Sequence, residues 1–479
     1  MTLRWLGMLI ILAGTAMGAE PFGLESYLSQ VKKQHLGYQG SVLASEGAKA
    51  RAQEGETLLA FTLFANGQYV IDRSPKIAVI QGTKNEFQSY SLGVSKLTTF
   101  GLAGKLYYNL NHTLISGLTP LPLPGFTIPS NYYDARPALE LTYSVLRNGS
   151  GRETRAAIEA IEAAAMSQSH AESYRAQLIE AEAEIAYWRL SLAREAIQVQ
   201  IESVDRAKRI LAWNDRRVKL RLADESDRLQ AESGLKLRQL ELQSVADEER
   251  TAALNFNSLR GIDKPVVEET LVSIHSVNSA KLDPPKRSEK REDVQAALDQ
   301  SRAAQASALM SIEKNMPNLE LYSMLSLNGR DPKLGDAMAY SFHDAQPVFA
   351  AGLRFSVPLD LDGMAESRRG YDQEARGADL KYQRKLFEQD KEWNDLNQRY
   401  GELKRRLDLA KQIEAVQEDK FAHEKERQTV GRSTTFFVLQ FEQDLATSQF
   451  KRLSLEAELL TLVAQMKTFG PSSLAGGVQ

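Results

Sequence analysis

Apolar and polar positions along the chain follow two periods. In the stretch PALELTYSV, Leu139, Leu141, Tyr143 and Val145 alternate with Ala138, Glu140, Thr142 and Ser144, the pattern of a strand with two unlike faces. VFAAGLRFSV repeats it, with Phe349, Ala351, Leu353, Phe355 and Val357 set against Ala350, Gly352, Arg354 and Ser356. Each has an upstream partner: LLAFTLFANGQYVID, with Leu59, Phe61, Leu63, Ala65, Tyr69 and Ile71 on one face, and NLELYSMLSLNG, with Leu319, Leu321, Leu325 and Leu327. The downstream strands lie 210 positions apart, whereas Leu59 and Leu319 are separated by 260, so the first half carries extra residues between its strands. SYSLGVSKL and KLYYNLNHT predict a further hairpin there, closed near Phe100 to Ala103 and followed by the proline-rich TPLPLPGFTIPSNYY.

The second period is helical. From Arg152 to about Asn214 the chain has no proline, and Leu178, Ile185, Leu192 and Val199 recur every seven residues beside Ala181 and Trp188. A matching run from about Ala365 to Thr429 carries Leu396, Tyr400, Leu403, Leu407, Ala410 and Ile413. Seams of period 3.5 predict left-handed coiled packing. Each run is roughly 95 Å of helix at 1.5 Å per residue. The helices expected to return, Asp224 to about Leu259 and Thr434 to about Phe469, reach only roughly 54 Å. Helices predicted over Leu24 to about Glu54 and Glu292 to about Asn315 would stack end to end with them and supply the rest.

The two long runs end alike. LRLADESDRLQAES, Leu220 to Ser233, is echoed by VGRSTTFFVLQFEQ, Val430 to Gln443, with Leu229, Gln230 and Glu232 matching Leu439, Gln440 and Glu442 at the same offset of 210. Turn and strand share one spacing, which marks a tandem repeat. Each repeat then reads as short helix, strand pair, long helix, turn and returning helix, and the echoed turn is the far tip of a helical hairpin. The first repeat spans 20–263, with the inserted hairpin at about 74–136, and the second spans 292–470. Residues 264–291, including DPPKRSEKRED, form the linker, and 471–479 a flexible tail.

Charge and composition narrow the function. The opening MTLRWLGMLIILAGTAMGAE has Arg4, an apolar run from Trp5 to Leu12 and small residues before a cut after Gly18 or Ala19, so 1–19 reads as a secretory signal peptide. No later segment is a long apolar run, so a membrane role would rest on strands. Cysteine is absent, which excludes disulfides and thiolate metal sites. Basic and acidic residues number 59 and 62 and are interspersed, which offers nucleic acid no electrostatic footprint. His35, His112, His170, His275, His343 and His423 never approach metal-ligand spacing, and no nucleophile elbow, phosphate loop or dinucleotide turn occurs. No enzyme, metal or cofactor is expected.

In its order of strands and helices, and in YWRLSLAREAI at Tyr187 to Ile197, FSVPLDLDG at Phe355 to Gly363 and RLQAE at Arg228 to Glu232, the chain resembles the TolC family of outer-membrane efflux proteins over essentially the whole mature length. The resemblance implies a mixed fold of long α-helical coiled-coil hairpins and transmembrane β-strands, assembled as a homotrimer. Its protomers jointly close a β-barrel in outer-membrane lipid and an α-barrel through the periplasm of a Gram-negative bacterium. Four strands from each protomer would make twelve, with the inserted hairpin either adding strands to the wall or, the favoured place, folding over the outer mouth, and the linker crossing the equator of the helical barrel. The implied activity is a passive conduit for efflux or type I secretion, docked to a periplasmic adaptor and an inner-membrane transporter. Carried onto the echoed turns, the resemblance places a periplasmic gate at Ser226, Asp227, Arg432 and Ser433, and adaptor contacts at Leu220, Arg221, Leu222, Val430 and Gly431. Arg221 stands where the family tends to have glycine. Phe436 and Phe437 replace the acidic rings of some members and would form an apolar constriction that gates by dewetting, or else be buried between helices. Competing with the gate is simple capping, for which Asp224 and Ser433 are suitable N-caps and Asp227 suits a first helical turn. The alternative function is a secreted coiled-coil spacer without a pore.

Overall fold

The computed structural model describes residues 21–77, 81–118, 129–277, 282–343 and 346–471; the signal segment, most of the proline-rich loop and the tail beyond 471 lie outside them. The chain forms two compact units. One comprises Met1–Val42, Ser173–Arg291 and Asp390–Gln479, the other Leu43–Glu172 and Glu292–Gln389.

The second unit is built on one antiparallel sheet. Its strands are β1 (Thr62–Asp72), β2 (Lys84–Leu97), β3 (Leu102–Ser116), β4 (Asn131–Ser144), β5 (Asn318–Ser326), the short β6 (Gly329–Asp331) and β7 (Val348–Ser356). They lie in the order β1-β2-β3-β4-β5-β7, with β6 pairing to β4 beside the end of β5. The inserted hairpin therefore joins the sheet, the less favoured of the two places open to it. It sits in the middle of the sheet, β2 paired to β1 from Thr62 opposite Ser95 to Asp72 opposite Asn85, and β3 paired to β4 from Leu102 opposite Tyr143 to Leu114 opposite Asn131. Gly101, at φ +87°, makes its tight turn, and Thr98 Oγ1 donates to the Leu102 carbonyl at 2.9 Å. A helix absent from the sequence reading, α6 (Leu334–His343), connects β6 to β7. It packs so closely on Gly329 that a Cβ there would lie 2.2 Å from the Ala337 carbonyl oxygen. Phe342 stacks on Tyr108 of β3 at 6.1 Å between ring centroids.

In the first unit lie α1 (Leu24–Gln34), the start of α2 (Leu36–Ala52), α4 (Glu225–Leu259), α8 (Thr435–Met466) and the distal parts of α3 (Arg152–Lys219) and α7 (Leu361–Thr429). The helix expected from Leu24 to Glu54 is broken at His35, whose ψ of 107° is extended and whose Nδ1 accepts the Tyr38 amide at 3.0 Å, capping α2. Tyr27 of α1 stacks on Phe256 of α4 at 4.0 Å and donates its hydroxyl to the Phe256 carbonyl at 3.0 Å; burial pushes its phenol well above the usual range. The linker is strapped onto this core. Val267, Leu271 and Ile274 are buried in it, and the Tyr187 hydroxyl donates to the Phe22 carbonyl at 2.6 Å while accepting the Val272 amide at 3.0 Å.

The seam foreseen on α7 forms a core: Leu396, Leu403, Leu407 and Ala410 pack against Leu455, Leu459, Leu462 and Met466 of α8, although Ile413 is exposed. The seam foreseen on α3 does not hold in that narrow form. Leu178 is exposed, Ala181 and Trp188 are buried as foreseen, and the buried set widens to Ala183, Ala186, Tyr187, Leu190, Ala193 and Ala196. Because α1, α4 and the linker all press on this stretch, small residues are needed on a broad face where a two-partner coiled coil would bury only one stripe.

Candidate functional sites in the sheet and at the helical tips

The register gives the sheet two chemically distinct faces. Leu63, Val94, Leu106, Leu139, Leu325 and Phe349 are successive partners across all six long strands and form one apolar row. All six are exposed in the protomer. Leu92, Leu110, Leu141, Leu321, Leu353 and Phe355 share that face by the alternation of strand side chains. On β2 the apolar stretch is bounded by Gln88 at one end and Lys96 at the other, eight residues apart. That is about 27 Å along the strand, or about 21 Å of height at a tilt of about 40°, close to the apolar band of a membrane barrel.

The opposite face is polar and charge-paired. Asp134 faces Arg330, which donates Nε to it at 2.6 Å, and Glu320 faces Arg354 at 3.2 Å. Lys105 faces Glu140 at 3.9 Å, and Asn66 donates to the Ser91 hydroxyl at 3.3 Å. Cross-strand pairs of opposite charge stabilise a sheet modestly while keeping its surface hydrated. A sheet with one continuous apolar face and one polar face suits a wall between lipid and water.

Both helical tips lie in the first unit and are built by the same bonds. The Leu222 amide donates to the Arg217 carbonyl at 2.8 Å and the Arg221 amide to the Val218 carbonyl at 2.9 Å. In the second tip the Arg432 amide donates to Arg427 at 2.8 Å and the Gly431 amide to Gln428 at 3.0 Å. Arg217 closes its tip onto the Leu222 carbonyl at 2.9 Å, as Arg427 does onto the Arg432 carbonyl at 3.2 Å. This double bond pattern needs one left-handed residue after the helix. Gly431 supplies it at φ +75°, and Arg221 is forced into it at φ +58°.

Leu220, Arg221, Leu222, Ser226, Val430, Gly431 and Arg432 are exposed, while Asp227 and Ser433 are half-buried. Among the described residues no ion pair joins Asp227 to Arg432. The capping expectation needs two corrections: Asp224 occupies the N-cap position of α4 but its side chain makes no cap bond, and Thr434, not Ser433, holds that position in α8. The Ser433 hydroxyl is instead drawn back onto Glu424 of α7. Phe436 and Phe437 are exposed, edge to face at 5.6 Å, and not buried between the helices of the protomer.

Behind the tips is a buried ionic cluster that the sequence reading missed. Glu442 accepts from Arg238 Nε at 3.0 Å, Arg206 Nε at 3.1 Å and Ser203 Oγ at 2.7 Å. Thr435, on the same helix, donates to the buried Asn214 of α3 at 2.7 Å. The echoed Leu-Gln-x-Glu marks Glu442, but nothing in the linear pattern points to its arginines.

No protein-family model matches the chain, and no curated protein does. Solved structures match along nearly its whole length. The outer membrane protein VceC from Vibrio cholerae aligns over 94% of this chain and 96% of its own at 14% identity, with a TM-score of 0.62. For the CmeC outer membrane channel of Campylobacter jejuni the shares are 93% and 85% at 14% identity, TM-score 0.61. For the open state of the MtrE outer membrane channel of Neisseria gonorrhoeae they are 94% and 89% at 15% identity, TM-score 0.64. The chain has the fold of these outer-membrane channel proteins.

Proposed function

We propose that the protein is the outer-membrane channel subunit of a tripartite efflux or type I secretion system, a passive conduit from the periplasm of a Gram-negative bacterium to its exterior. The observation that carries this reading is the apolar row from Leu63 to Phe349, exposed across six strands and backed by a polar, charge-paired face. A spacer in water gains nothing from such a row, whereas outer-membrane lipid covers it. The sheet also has two free edges, β1 and β7, whose unpaired backbone groups are not tolerated in lipid, so copies must close a barrel. The homotrimer, the periplasmic adaptor at the tips and the inner-membrane transporter complete the assembly. Tips built by the same bonds support reading 20–263 and 292–470 as tandem repeats joined by 264–291, with the gate at Ser226, Asp227, Arg432 and Ser433 and the adaptor contacts on the flanking turns.

Extraction from outer membranes and conductance in a planar bilayer test the reading together. A heat-resistant trimer that needs detergent for release and conducts ions is expected. Release into the soluble fraction on lysis would reject the channel and favour the spacer.

A further inference from the structure

The position of the inserted hairpin changes the size of the barrel. We infer that each protomer contributes six strands to the membrane wall, so that the trimer closes eighteen; this rests on the channel reading above. Three observations on the second unit converge. First, β2 and β3 pair along their full lengths with β1 and β4, and those two strands do not pair with each other. Second, the hairpin continues the two faces of its neighbours, with Leu92 and Val94 on the apolar side and Ser91 and Asn109 on the polar side. A hairpin folded over an aqueous mouth would expose that apolar side to water on both edges of the fold. Third, the hairpin is locked in place from the polar side. Phe64 of β1 and Tyr107 of β3 meet across Gly93 of β2, their ring centroids 6.3 Å apart, and a Cβ on Gly93 would lie 2.4 Å from that of Tyr107.

Closure follows from direction. Along the path β1-β2-β3-β4-β5-β7 every pairing is antiparallel, so the two edge strands run oppositely. The β7 of one copy can then pair antiparallel with the β1 of the next, which an odd number of strands per copy would forbid. At about 4.8 Å between strands and a tilt of about 40°, eighteen strands enclose a ring about 36 Å across at the backbone, against about 24 Å for twelve. The outer-membrane segment is therefore a wide aqueous vestibule.

The chain has no cysteine, which allows single thiols to report which side of the wall each position faces. Leu92→Cys, Ser91→Cys and Leu353→Cys, each in the full chain in outer-membrane vesicles opened on both sides, are treated with a membrane-impermeant maleimide. An eighteen-stranded wall predicts labelling at Ser91→Cys and loss of labelling at Leu92→Cys and Leu353→Cys, with both recovered after denaturation. Labelling of Leu92→Cys while Leu353→Cys stays shielded would overturn the six-strand contribution and leave the channel intact. Labelling of all three would instead reject membrane insertion itself. A cross-section of the detergent-extracted trimer by electron cryomicroscopy gives an independent count, and twelve strands there would refute the inference.

Discussion

Arg238 and Glu442 form an enclosed ion pair: Nε lies 3.0 Å from the carboxylate, and the two residues are 5% and 1% exposed. Glu442 also holds Arg206 at 3.1 Å, and it is the most buried carboxylate of the cluster, the outer Glu241 and Glu202 pairing with Arg238 and Arg206 from its rim. The position that echoes it, Glu232, makes a half-buried pair with Arg228 at 2.9 Å, near the surface of the same helix. Removing one partner of a buried pair leaves the other charge uncompensated, at a cost of about 3–5 kcal/mol. Glu442→Ala is expected to lower the thermal midpoint of the detergent-solubilised protein strongly, and Glu232→Ala to leave it nearly unchanged. Equal small shifts would mean that water reaches the Glu442 cluster.

Arg221 adopts the left-handed conformation that Gly431 adopts in the other tip, at φ +58° and +75°. A side chain there costs about 1 kcal/mol, part of which a glycine returns as freedom of the unfolded chain. Arg221→Gly is expected to stabilise the first tip by about 0.5–1 kcal/mol and Gly431→Ala to destabilise the second by about 1 kcal/mol. A tip opens locally, so the measurement is amide hydrogen exchange at Leu222 and Arg432 and not the global melt. Faster exchange at Leu222 in Arg221→Gly would show that the arginine holds the turn by contacts worth more than its strain.

The guanidinium of Arg260 grips Glu269 with bonds of 2.6 and 3.2 Å and holds its carboxyl below the usual range. A carboxyl whose folded pKa is depressed contributes stability above its unfolded pKa, about 4.3, and loses it as pH falls through the lower folded value. The pair ties the linker to the end of α4, so Glu269→Gln is expected to melt earlier than the wild type near neutral pH. The difference should narrow as pH falls below about 4.3 and close once pH lies below the depressed folded value, where both side chains are uncharged. Thermal melts across that range check the sign; a gap that widens in acid would contradict it.

How much of this was legible differs by element, for physical reasons. The faces of β4 and β7 were readable because a strand's side chains alternate strictly, so Leu139 and Leu141 declare a face without reference to any neighbour. Their neighbours were not readable, since the alternation of Leu92 and Val94 is the same whether β2 lies in the wall or above it. The tips are legible because the chain writes them twice, and Arg221 is a visible departure where the echoed turn has Gly431. The helix α6 depends on Gly329 making room, a tertiary fact with no local signal. On α3, the heptad of Leu178, Ile185, Leu192 and Val199 described a helix with one partner, but α1, α4, α8 and the linker all pack on that stretch. Glu442 was visible as a repeated letter; its burial came from arginines on two other helices.

On the channel reading, the proposed gate is a relationship between copies of the chain. Within one protomer Asp227 and Arg432 form no ion pair with each other, and Asp227 sits in the first turn of α4, where a carboxylate also favours the helix dipole. If the proposed trimer brings the tips of neighbouring protomers face to face, an Asp227 to Arg432 link there would be partly desolvated, so that its loss opens the aperture. Asp227→Ala and Arg432→Ala are each expected to raise the small single-channel conductance of the wild type, and the double variant to add little to either, because both remove the same link. If Asp227→Ala lowers the thermal midpoint and leaves conductance unchanged, its carboxylate serves the helix end alone. Additive increases in the double variant would assign the two residues to separate restraints, with Arg432 paired to another group.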